Sequence, residues 1–163
     1  MFEVLAYVYE NYWSGEDCPA WNLLERKLNA VGFEPDEITD ALVWLSDLNV
    51  AATATQISIA AKNEQAIEPL PQAPFSMRVY AVAEQDHLGS ECLGFVRFLE
   101  SAQVLPASLR EIVVERALAA PGGPLALDDL KIIVLMVYWS FGQEMDALVL
   151  DELCDDASDR VAH

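Results

Sequence analysis

The sequence predicts a mainly α protein, a helical bundle with at most a short β-ribbon. Apolar residues recur at spacings of three and four through most of the chain, and Gly, Pro and acidic residues punctuate those stretches where helices stop and start. Hydrophobic residues make up 53% of the chain and charged residues 22%, the composition of a globular protein with a real core. At 163 residues the chain fits one compact domain, or a main domain with a small helical subdomain, and buries roughly 70% of its unfolded surface.

A three-helix unit is expected over residues 1–49. In the first helix Glu3, Tyr7, Glu10 and Ser14 form a narrow wet stripe, while Phe2, Leu5, Val8, Tyr9 and Tyr12 fill the other faces. Gly15 to Pro19 ends it, with Pro19 placed at the first turn of a second helix that carries Trp21, Leu24, Leu28 and Val31 on one face. Gly32 then supplies a left-handed cap with Phe33 as an anchor beside it, and Pro35, Asp36 and Glu37 open a third helix. Its core face reads Ile38, Ala41, Leu42, Leu45 and Leu48, and it is expected to end near Asn49.

Residues 50–76 read as a linker or mobile loop, because the pattern fades into Ala, Thr and Gln and then meets Pro69, Pro71 and Pro74. Within it, Gln56 to Ala61 alternates as a short strand would, and Met77 to Val82 is a second strand candidate, so a small two-stranded ribbon is the most β structure the chain offers. A C-terminal helical unit follows over residues 77–154. Glu84 and Asp86 open a helix through Leu88, Cys92, Phe95, Val96 and Leu99; another runs from about Ala107 to Ala119. Pro121-Gly122-Gly123-Pro124 breaks the chain before Asp128 and Asp129 open an apolar helix through Phe141. A last helix from Gln143 to about Cys154 leads into an acidic tail, residues 155–163.

The formal net charge of −18 sets a negative potential over the surface, which repels phosphates and favours cationic partners or simply gives solubility. Direct nucleic-acid binding is therefore not expected. Cys18, Cys92 and Cys154 stand far apart without CxxC spacing, which suits neither a disulfide framework nor a zinc site and fits a reducing cytoplasm. The N-terminal residues lack the basic and apolar regions of a signal peptide. The apolar run Ile132 to Trp139 falls short of the ~20 residues a bilayer span needs, so it reads as a buried helix and no membrane association is expected.

The helices around Gly32-Phe33 have the short turn of a helix-turn-helix, but Glu34, Asp36, Glu37 and Asp40 would face DNA phosphates uncompensated. Trp44 stands beside Glu37, Asp40 and Asp47 at the margin of the core stripe, which makes these four residues the candidate partner surface. The plainer reading of Trp44 is a core filler with a wet nitrogen. Arg116 falls among Leu109, Ile112, Val113 and Ala120 and needs a partner; Asp128 or Asp129 would make a structural ion pair, and binding of an outside carboxylate or phosphate is the second reading. Arg78, between Met77 and Val79, carries the same two readings. His87 and His163 assemble no Ser-His-Asp or Cys-His arrangement, and no Gly-rich phosphate loop occurs. Asp151, Glu152, Asp155, Asp156 and Asp159 lack the spacing of a calcium loop and read as solvated. No cofactor, no metal and no catalytic residue is expected.

Several stretches together resemble the bacterial Smg family: Met1-Phe2-Glu3-Val4-Leu5, Gly32-Phe33 with Ala41-Leu42-Val43-Trp44-Leu45, Ser76-Met77-Arg78-Val79-Tyr80, Arg110-Glu111-Ile112-Val113 and Leu127-Asp128-Asp129-Leu130-Lys131. The likeness spans about Met1 to Phe141, leaves the tail unmatched, and departs at Ile132, where an aromatic would follow the lysine. It implies a small cytoplasmic protein without an assigned activity, from genes often found near one for a DNA-processing protein. The resulting expectation is a non-enzymatic interaction or adaptor protein with a cationic or hydrophobic-groove partner. The alternative is a regulator associated with DNA-processing proteins, acting through a local Arg patch or as an acidic competitor.

Overall fold

The computed structural model describes residues 1–12, 21–64 and 78–142, with side chains up to Ile57 in the second of these segments. Six α-helices account for most of them: α1 Phe2–Tyr12, α2 Trp21–Val31, α3 Pro35–Glu64, α4 Val82–Ser101, α5 Ala107–Leu118 and α6 Leu127–Ser140. Helix α6 is the axis of the bundle, packed against α1, α3, α4 and α5. The residues from Leu130 to Tyr138 are buried apart from the half-buried Ile132, as an apolar run with no wet face requires. No described helix is long and apolar enough to cross a membrane.

The turn between α2 and α3 is where its residues place it, and the expected break from Gly15 to Pro19 lies outside the described residues. Gly32 takes φ +107 and, with Phe33, returns its N–H to the Leu28 carbonyl, closing α2 in a Schellman-type turn. Phe33 packs edge-on against Tyr7, with ring centroids 5.6 Å apart. In α2 only Leu24 and Leu28 are buried, whereas Trp21 and Val31, read as part of the same apolar face, are exposed.

Two readings of the middle of the chain need correction. Helix α3 does not end near Asn49 but continues to Glu64, and it absorbs the strand candidate Gln56 to Ala61. Alanine-rich sequence carries a helix forward at little cost, and the brief alternation of Ile57 and Ile59 is too short to outweigh a helix already nucleated and packed. The second strand candidate, from Met77, also fails in its described part: Arg78 to Ala81 is extended but pairs with no strand, and α4 begins at Val82. No β-ribbon exists among the described residues. The remaining expected linker residues from 65, the final helix from Gln143 and the acidic tail lie outside the described residues.

Helix α4 is broken at Gly89, whose φ of +67 and ψ of 175 lie outside any helix. The break frees the His87 carbonyl, which accepts the Leu125 N–H at 2.8 Å. His87 Nε2 donates to the Ala117 carbonyl at 3.1 Å and Cys92 Sγ to the Leu125 carbonyl at 3.4 Å. The loop between α5 and α6 is thereby held onto α4.

Candidate functional site

Trp44 is not a surface residue. It is 3% exposed, and its indole N–H donates to the Arg116 carbonyl at 3.0 Å, so even the nitrogen is dry. The reason is the path of α3, which lays the margin of its core stripe against α5 instead of solvent. The other members of that predicted surface separate. Glu37 accepts from the Met1 ammonium at 3.2 Å, Asp40 is exposed, and Asp47, one turn beyond Trp44, faces Arg116.

Asp128 and Asp129, the partners expected for Arg116, stand in the first turn of α6. Nη1 of Arg116 lies 3.6 Å from Asp47 Oδ2 and its Nη2 donates to Glu115 Oε1 at 3.1 Å. These carboxylates are about three-fifths exposed, whereas Arg116 itself is only 7% exposed. Its Nε and Nη1 are buried and hydrogen-bond to nothing among the described residues. A permanently charged guanidinium thus sits in the wall of the bundle with part of its donor set unused.

These residues line a groove of about 350 Å³ between α3 and α5. Val50, Ala51, Ala54 and Ile112 give it an apolar floor, Thr55 adds a hydroxyl, and Asp47 and Glu115 stand beside Arg116 at its polar end. One member of each residue set that the sequence suggested separately, Asp47 and Arg116, lines this groove, and Trp44 reaches the Arg116 carbonyl across 72 positions of chain. Sequence reasoning missed Val50 and Ala54, which fell inside the expected linker. The available signal was the recurrence of Val43, Val50 and Ile57 every seven residues, off the core face of α3.

Arg78 resolves toward the internal ion pair. Its Nη1 and Nη2 bridge both oxygens of Glu84 at 3.0 and 2.8 Å, its Nε reaches Glu111 at 2.9 Å, and its guanidinium lies over the Tyr80 ring. Arg110 continues the chain of charges from Glu111 to Glu100. Glu84 also accepts the Ala81 N–H at 2.7 Å, closing the start of α4 where Ala81 has no side-chain acceptor of its own. The Arg78 hydrogen bonds, and then the Ala81 N–H, hold the Glu84 carboxyl below its ordinary range. This network straps residues 78–81 to α4 and α5.

Neither Cys92 nor His87 is set up as a reacting group. Burial, ahead of the Glu91 and Asp129 charges, pushes the Cys92 thiol up to about 11, the opposite of what a nucleophile needs. His87 is held by Ala117 in a purely structural contact. No cluster of three or more His, Cys, Asp or Glu side chains is placed to hold a metal among the described residues.

Fold and site therefore define an acidic helical bundle with a small groove that is apolar along its floor and carries two carboxylates at its polar end. The chain belongs to the bacterial Smg family. A family model described as "Protein of unknown function (DUF494)" matches residues 1–163, including the tail that motif resemblance had left unmatched. The chain is 54% identical to the "Protein Smg homolog" of Leptothrix cholodnii and 53% identical to that of Methylibium petroleiphilum, over 163 residues and the whole of each chain. The "Protein Smg homolog" of Bordetella avium is 49% identical over 164 residues, again with both chains fully covered. No solved structure matches the chain.

Proposed function

We propose that this protein is a non-enzymatic adaptor whose α3–α5 groove holds a cationic segment of a protein partner. The observation that carries the reading is the pair of largely exposed carboxylates, Asp47 and Glu115, at the polar end of a groove with an apolar floor. A free phosphate or carboxylate is repelled by them and by a chain of net charge −18. A polypeptide with lysine or arginine beside apolar side chains complements both.

The test is site-specific photo-crosslinking in cells from Ala54 in the groove, with Asp86 on α4 as the control position. Discrete protein adducts from Ala54 and not from Asp86 are expected, and they should weaken when Asp47 and Glu115 are changed to Asn and Gln. Adducts that form equally from both positions, or none from Ala54, would overturn the reading.

The alternative of nucleic-acid association through arginines draws no support from Arg78 and Arg110, because carboxylates occupy both. Its other form, competition for the basic surface of a DNA-binding protein, is one case of the cationic partner proposed here. Robust, salt-dependent binding of duplex DNA by the purified protein would favour the nucleic-acid reading instead.

A further inference from the structure

We infer that the groove's occupant is an amphipathic α-helix carrying lysine or arginine beside its apolar stripe, laid along α3. This rests on the groove reading above and adds the form of the partner. Val43, Val50 and Ile57 are 57, 66 and 64% exposed, a row that nothing among the described residues covers. Seven-residue spacing puts them in one row, and Asp47 and Ala54 fall between them on the same side of the helix. The buried face of α3, with Ile38, Ala41, Leu45, Leu48 and Ala52, is separate and already covered.

A row of this period matches the seam along which two helices pack at a shallow angle. From Val43 to Ile57 it runs about 21 Å at 1.5 Å per residue, enough for two heptads of a partner helix. The groove opens beside the row, with Val50 and Ala54 common to both.

Charge selects the occupant. From residue 35 to 61 the chain contains no Lys or Arg, while Asp36, Glu37, Asp40 and Asp47 lie along α3 and Glu115 stands across the groove. A second copy of this chain would bring acids onto acids, so a basic helix is the complementary partner. Asp47 and Glu115 are about three-fifths exposed, so each presents carboxylate surface to a lysine or arginine. The apolar stripe of the docked helix then covers Val50 and Ala54 while its basic side chains meet Asp47 and Glu115.

The test uses three synthetic eighteen-residue peptides and the full chain, read by amide NMR shifts, peptide helicity and fluorescence anisotropy. The first has a leucine and alanine stripe flanked by lysines, the second replaces each lysine by glutamate, and the third scrambles the first so that the stripe is lost. The first should bind, gain helicity and shift Val43, Val50, Ala54 and Ile57; the other two should bind at least tenfold more weakly. Val50→Asp, on an exposed position that leaves the fold intact by circular dichroism, should weaken binding at least tenfold, and Asp47→Asn with Glu115→Gln should weaken it several-fold. Equal binding of the scrambled peptide, or indifference to Val50→Asp, would overturn the helix, as would self-association of the chain that Val50→Asp abolishes. Adducts from Ala54 to a partner segment that is not helical would sink the helix alone; their absence would sink the groove reading as well.

Discussion

Arg116 illustrates how a single residue can be unfavourable for the fold. Its attraction to two largely exposed carboxylates is screened, while two of its donor atoms are dry and unused. Arg116→Met, which keeps the length of the side chain without the charge, is expected to raise stability by about 1 kcal/mol in urea unfolding. A loss of that size would show that the pairs with Asp47 and Glu115 stabilise the bundle on balance. Cys92 gives a second prediction. Its thiol has a folded pKa of about 11, above the ordinary value of 9.0, so the folded state retains a proton that the unfolded chain releases. That contribution is complete below pH 9 and lost as pH climbs toward 11, a window that overlaps the upward shifts that burial gives Tyr80 and Tyr138. Cys92→Ser, which does not titrate there, should flatten the fall in stability between pH 9 and 10.

At the scale of elements, helix α4 depends on one conformation that only glycine adopts readily. Gly89 has φ +67 with ψ 175, and no atom lies within 4 Å of where a Cβ would be, so the constraint is the backbone and not crowding. Gly89→Ala should cost about 1–3 kcal/mol, whereas Gly94→Ala, on the exposed helical face of the same element, should add about 0.5–1 kcal/mol. Equal responses of the two variants in chemical denaturation would show that the break is not required. Much at this scale was legible in the residues. Gly32 and Pro35 mark the turn between α2 and α3, and Asp128 and Asp129 stand in the first turn of α6. What the residues concealed was the length of α3, because Ala and Thr weaken the hydrophobic pattern without opposing a helix.

Over the whole molecule, 27 acidic residues against 9 basic ones make self-repulsion a standing cost of compactness. Raising ionic strength from about 0.01 M to about 0.15 M shortens the screening length from about 30 Å to about 8 Å. The thermal midpoint should therefore rise by roughly 3 °C, corresponding to about 1 kcal/mol for a chain of this size. A midpoint that fell with salt would mean that ion pairs such as Arg78–Glu84 outweigh the repulsion. Peptide capture at the groove should move the other way, weakening as salt rises, because there the charges attract.

The sequence by itself determined the helical character, the turns around Gly32 and before α6, the burial of the Ile132 to Trp139 stretch and the sign of the surface. All of these follow from local preference, periodicity and composition. Only the tertiary structure decided that Trp44 is buried, that Arg116 faces Asp47 and Glu115, and that Val50 and Ala54 line a groove. Periodicity says which side of a helix seeks cover; which helix supplies that cover depends on contacts such as Trp44 to Arg116, 72 residues apart in the chain.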